Sequence, residues 1–171
     1  IQNEDYDDKA LAWITKIWPS RVEFFKNPIV EKYFGNITPR TQITRGITSD
    51  QPFNEQALGY IYAEVLQSEK KFEEALEVLH EISADQITAI SIADIELLMG
   101  DFDAAIETTE DVENEDDATA MLLILRGIAF REKKLLDSSL ECFKRALKEK
   151  DRSEALLHRA LFERAETYLR M

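Results

Sequence analysis

After Pro52 the chain runs to Met171 without another proline, and that gap constrains the fold more than any other feature. Proline removes a backbone donor and clashes with the preceding helical turn, so residues 53–171 are free to form helices broken only by other signals. All four prolines, Pro19, Pro28, Pro39 and Pro52, lie before residue 53, and the first 54 residues read as irregular. Within them, "DYDDKALAWITKIW" sets Leu11, Ile14 and Trp18 on one helical stripe that Pro19 ends. "NPIVEKYFG" predicts a short helix with Asn27 as cap, Pro28 at its first position and Gly35 at its end. "GNITPRTQITRGITSDQP" has no helical period and several turn formers, so it reads as an extended loop carrying Arg40 and Arg45 without neighbouring acids.

Beyond Pro52, seven helical stretches alternate with breaks near residues 69–71, 83, 100, 114–116, 133–134 and 150–151. Ser83 and Ser153 are the expected N-caps of the stretches they precede. Helices joined by such short turns pack antiparallel to their neighbours. The expected division is an N-terminal helical and extended segment, residues 1–54, and a helical repeat domain, residues 55–171. With 44% apolar and 32% charged residues in 171, the chain is globular rather than disordered. Cys142 is the sole cysteine, which excludes an internal disulfide and fits a reducing, cytoplasmic setting. No apolar run is long enough for a transmembrane helix, so membrane insertion is not expected. The opening "IQNEDYDDK" has neither a basic start nor an apolar segment, unlike a signal peptide, and a start at Ile1 suggests a fragment or processed product.

The net charge of −13 is unevenly distributed. Residues 1–54 carry 7 basic and 7 acidic groups, residues 55–117 carry 2 and 19, and residues 118–171 carry 12 and 8. An acidic middle beside a basic end disfavours nucleic acid as a partner, because phosphate binding needs a basic face. It suits a solvated surface, a basic partner, or the basic end of a second copy in a homo-oligomer.

Three segments superpose: "GYIYAEVLQSEKKFEEALEVLHEI", "AISIADIELLMGDFDAAIETTEDV" and "LILRGIAFREKKLLDSSLECFKRA". The small residue of the first helix is Ala63, Ala93 and then Gly127, spaced by 30 and 34 residues. The bulky residue after the turn is Phe72, Phe102 and Leu136, followed by a small residue at Ala75, Ala105 and Ser139. Small residues allow close helix approach, and each pair then buries a second face against the next.

At these residues, and best in "LMGDFDAAIE", the chain resembles the tetratricopeptide repeat (TPR) family. The resemblance covers about residues 55–171. It departs from the family at Lys70, where the family favours glycine, in its short first interval, and in lacking the proline that usually closes a repeat. It implies an all-α fold: antiparallel helix pairs stacked as a TPR-like right-handed superhelix of about three and a half repeats, with the N-terminal segment packing on it. "LFERAETYLRM" matches the first helix of a fourth repeat, so a continuation of the chain, another element or another chain is expected to cover it.

Chemistry finds little support. Asp101 and Asp103 alternate as calcium ligands do, but Ala105 occupies the next ligand position and no central glycine follows, so Asp101 reads as a helix cap. Glu113 to Asp117 reads as a solvated linker. His80, His158 and Cys142 form no zinc pattern; His158 suits a surface pair with Glu154, and Cys142 beside Phe143 suits packing. The isolated glycines make no phosphate loop. No catalytic residue, cofactor site or metal site is expected.

A binding surface fits better. By the resemblance, the first helix of each pair lines the concave face, which gives a partner groove of Tyr60, Glu64, Gln67, Ile90, Asp94, Leu97, Ile124, Ile128 and Arg131. "AISIADIELLM" and "AMLLILRGIAF" are apolar nearly all round and must be covered on more than one face, by the N-terminal segment or by a partner. Arg40 and Arg45 offer one cover, docking against the acidic middle from within the chain. Glu64 and Asp94 would repel the carboxylate tails that some family members clamp. The expected function is therefore a non-catalytic protein-interaction module, a scaffold or adaptor for a basic or amphipathic protein segment. The alternatives are an oligomerisation part of a larger protein, or a regulatory helical domain of an enzyme whose catalytic part lies outside this chain.

Overall fold

A computed structural model describes residues 4–171, with side chains from Lys9 onward. Residues 1–3, part of the opening stretch read above, lie outside the described residues. The chain is mostly helical with a single two-stranded sheet among the described residues, and it divides into two compact units.

The first unit runs from the N-terminal helices to Ile43 and resumes over Thr48–Ala84. Helix α1 (Glu4–Ile17) leads into a 3-10 turn (Trp18–Ser20), then α2 (Arg21–Phe25) and α3 (Pro28–Phe34). α1 ends at Ile17, two residues before Pro19 as expected, and the chain passes through one 3-10 turn into α2. Ile14 and Trp18 are buried on the expected stripe. Asn27 caps α3 through Oδ1, which accepts from the Ile29 N–H at 2.9 Å.

Helices α4 (Glu55–Ser68) and α5 (Phe72–His80) complete this unit, and α1 packs on α4. Trp18 meets Tyr62 edge-on at 5.5 Å and donates through Nε1 to Glu81. Arg21 lies over the Trp18 ring and pairs with Glu55 and Glu81, both at 2.9 Å. The expected boundary at residues 54/55 thus falls inside a packed unit.

The expected loop is instead a hairpin of β1 (Arg40–Thr44) and β2 (Ile47–Asp50). Exposed Arg40 and Gln42 alternate with buried Thr41 and Ile43, the period of two that strands require, and most of the inward residues are β-branched. Gly46 closes the turn at φ +98°, a region other residues avoid. Arg40 is not without an acid: its guanidinium grips Asp50 across the strands at 2.9 and 3.1 Å.

The second unit holds the hairpin tip, Thr44–Ile47, with Asp85–Met171. Its helices are α6 (Gln86–Met99), α7 (Phe102–Thr108), α8 (Asp117–Glu132), α9 (Leu136–Ala146) and α10 (Glu154–Leu169). With α4 and α5 these are the seven expected stretches. Asp101 caps α7, its Oδ1 accepting from the Ala104 N–H at 3.1 Å. The cap of α6 is Asp85 rather than Ser83, because only Asp85 Oδ1 reaches the Thr88 N–H, at 2.8 Å. Ser153 stands at the N-cap of α10 but makes no side-chain capping bond.

Three turns share one geometry. Lys70, Gly100 and Lys134 take left-handed φ angles of 60°, 81° and 63°. After each, the next N–H reaches back to the same helical carbonyl: Lys71 to Leu66, Asp101 to Glu96 and Leu135 to Phe130, at 2.8 to 2.9 Å. These are Schellman closures of α4, α6 and α8. At two of them a lysine occupies a position that glycine fills without strain. Left-handed backbone costs a side-chain-bearing residue about 1–2 kcal/mol, and glycine's extra unfolded-state freedom returns about half of that. Lys70→Gly and Lys134→Gly are each expected to stabilise the fold by about 0.5–1 kcal/mol in urea denaturation. An unchanged or lower midpoint would show the turns to be unstrained.

The turns form the helix pairs α4–α5, α6–α7 and α8–α9. Ala63, Ala93, Gly127, Ala75, Ala105 and Ser139 are all buried. The closest approach is at Gly127, where a Cβ would stand 2.6 Å from Phe143 Cε1, so α9 fits against α8 only because that side chain is missing.

Candidate partner-binding face

The acidic stretch around residues 110–117 is structural. Asp116 caps α8: its Oδ1 accepts from the Thr119 N–H at 2.8 Å while the Thr119 hydroxyl accepts from the Asp116 N–H at 2.9 Å. Burial raises the Asp116 carboxyl, but these bonds outweigh that and hold it below the usual carboxylate range. Asn114 donates to the Arg145 and Ala146 carbonyls at the end of α9 and accepts from Arg152 at 2.9 Å. Asp117 receives the Ser153 N–H at the start of α10. The linker thus ties α8, α9 and α10 together. Among the described residues, no three His, Cys, Asp or Glu side chains stand where they could hold a metal ion. Cys142 is buried, and burial pushes its thiol up. His158 lies 3.6 Å from Glu154, the surface pair its spacing predicts.

The expected groove residues divide between the two units. In the first, Tyr60 is buried and its hydroxyl accepts from Gln56 Nε2 at 2.9 Å; Glu64 is exposed and Gln67 half-buried. In the second, Ile90 and Ile124 are fully buried core residues. Arg131 is also buried, its guanidinium 2.7 Å from the Glu163 carboxylate on α10. These three side chains are already occupied by packing or pairing. Asp94, Leu97 and Ile128 keep partial solvent access.

Asp94 is the member with the most developed surroundings. Its carboxylate accepts a hydrogen bond from the Thr44 hydroxyl of the hairpin tip and stands 4.0 Å from Arg159 Nη2 on α10. Burial raises the Asp94 carboxyl above its ordinary value, and Thr44 and Arg159 offset only part of that. Arg159 Nη1 donates to Thr44 Oγ1 at 3.2 Å and to the Arg45 carbonyl at 2.6 Å. A Cβ placed on Gly46 would stand 3.7 Å from the methyl of Met121 on α8, an ordinary van der Waals contact. Beside this cluster, a cleft of about 500 Å³ opens between the tip and α10, with Phe162 and His158 on its rim.

Thr44 and Arg159 were not among the sequence-predicted residues. Arg159 carried a signal: it interrupts an apolar stripe between Leu156 and Ala160, both fully buried, and an arginine there needs an acid. Arg45 was singled out for its charge, yet its side chain is exposed and only its carbonyl docks. α10 also leaves Leu161, Phe162, Tyr168 and Leu169 exposed. No helix of the described residues is long and apolar enough to cross a membrane.

No protein family, curated protein or solved structure matches the chain. Among the described residues, the helix pairs α4–α5, α6–α7 and α8–α9 are in contact and joined by turns of one geometry.

Proposed function

We propose that the chain is a non-catalytic protein-interaction module, a TPR-like scaffold or adaptor whose helix pairs belong to a right-handed superhelix. The observation that carries this reading is the repeated unit: three Schellman turns of one geometry, each between contacting helices that carry buried small residues. Repeats of this kind turn the first helix of each pair toward a partner. The partner is a basic or amphipathic protein segment, received on the second unit by the solvent-reaching residues Asp94, Leu97 and Ile128. A helix or extended segment of that chemistry would place apolar side chains on Leu97 and Ile128.

The test is a pull-down with the intact protein, repeated with Leu97→Glu and with Ile128→Glu. Both positions are half-buried, so circular dichroism first establishes that the variants fold. Each is expected to lower partner recovery at least tenfold, the loss of about 1.4 kcal/mol or more at a packed contact. A partner recovered equally by all three proteins sinks the reading.

A further inference from the structure

One face of the second unit, around Asp94 and Arg159, is already occupied by the chain itself. Thr44, only 4% exposed, sets its hydroxyl between Asp94 and Arg159, donating to the first and accepting from the second. The Arg45 carbonyl takes another hydrogen of the same guanidinium, and Gly46 turns the backbone at φ +98°, which side-chain-bearing residues rarely adopt. Ile47 follows into the core at 8% exposure. A hydroxyl held by α6 and α10 and, one residue on, a carbonyl held by α10 are thus followed by a turn glycine and a buried aliphatic side chain. The strands outside the tip are held to each other by the Arg40–Asp50 pair. The tip is a short self-complementary ligand presented on a ribbon.

Arg159 is not fully satisfied by the tip. Its Nε is buried and has no hydrogen-bond partner, and the Asp94 contact is long at 4.0 Å. A docked segment that left the polar groups better paired would compete well, because a buried donor without a partner costs free energy in the resting state.

We propose that Thr44–Ile47 is a built-in occupant of this face, and that the partner enters by displacing it with a turn of the same chemistry: a Ser or Thr hydroxyl for Asp94 and Arg159, a following carbonyl, then glycine. This rests on the interaction-module reading and specifies the ligand of one of its faces. Asp94 is then not a free negative charge waiting for a lysine; it is an acceptor shared by a hydroxyl and an arginine. Selection falls on hydroxyl-bearing turns, since a valine in place of the threonine keeps the shape but removes the donor to Asp94 and one acceptor of Arg159.

The probe is a fluorescent backbone-cyclised peptide reproducing residues 40–50, with a second peptide carrying Thr44→Val. Each is titrated by anisotropy into the full chain as wild type, Thr44→Val, Gly46→Val and the conservative Thr44→Ser. Trypsin cleavage after exposed Arg45 reports tip release. Thr44→Val and Gly46→Val are expected to speed that cleavage and to bind the threonine peptide at least tenfold tighter than wild type does. The valine peptide is expected to bind them at least tenfold more weakly, and Thr44→Ser to behave as wild type.

Equal affinity for the two peptides, or no binding by a chain whose tip is released, overturns the proposal. So does unchanged cleavage in both tip variants, and so does global unfolding of both, which would make the tip a structural strut. The probe is the chain's own segment, so this test does not depend on capturing a partner. Peptide binding without partner capture would defeat the interaction-module reading and leave the occupied face standing.

Discussion

Phe143→Ala is expected to lower the unfolding free energy by about 3–5 kcal/mol, the cost of emptying a large buried aromatic site. Phe143 is fully buried, and its ring lies where a Cβ on Gly127 would fall, 2.6 and 2.7 Å from two ring carbons. α8 cannot close over the cavity easily, because α9 is fixed at both ends, by the Leu135 turn and by Asn114 on its last carbonyls. Urea denaturation followed by circular dichroism measures the loss; a change under about 1 kcal/mol would mean that the pair collapses freely. Gly127→Ala supplies a second arm. Alone it overpacks the same contact and should cost about 1–3 kcal/mol. Combined with Phe143→Ala, its methyl enters the vacated space, so the two losses should fall well short of additive.

Arg131→Met is expected to cost about 3 kcal/mol or more, as breaking one side of a buried ion pair does. Arg131 Nη1 donates to the Glu163 carboxylate at 2.7 Å and to the Glu163 carbonyl at 3.2 Å, with the two side chains 8% and 14% exposed. Methionine fills the volume but leaves that carboxylate half-buried without its cation. Glu132, the other acid Arg131 touches, keeps Arg170 at 2.9 Å, so the damage centres on Glu163. The double change Arg131→Met with Glu163→Leu should recover most of the loss. A double variant as unstable as the single one would show that Arg131 acts through shape rather than charge.

The helical half of the chain was legible because its signals are local. The absence of proline after residue 52, the caps at Asn27 and Asp101, and the small-residue registers at Ala63, Ala93 and Gly127 each act within a few residues. The hairpin was missed because its strands are short and sit among turn formers; only the alternation in "RTQIT" marks them. Ser83 and Asp85 both suit an N-cap, and reach to the Thr88 N–H decided between them.

The face was harder to see. Ile90 and Ile124 carry the apolar chemistry of a groove, but burial consumes them, and single-helix periodicity does not separate a covered face from an open one. Arg131 looked like a groove cation until Glu163, 32 residues later, proved to hold it. Asp94 was found by its register, whereas its partners Thr44 and Arg159 come from opposite sides in sequence. Nothing local links them.

That separation also sets an order of events. α8 and α9 meet across a three-residue turn, and such contacts form quickly because little chain entropy is lost in closing them. The bond from Arg159 to Thr44 joins residues 115 apart. Closing so long a loop gains nothing until α6, α8 and α10 have built the surface it closes onto. The hairpin tip is therefore expected to dock after these helices have packed, and a nascent chain to display the completed face only once α10 has formed.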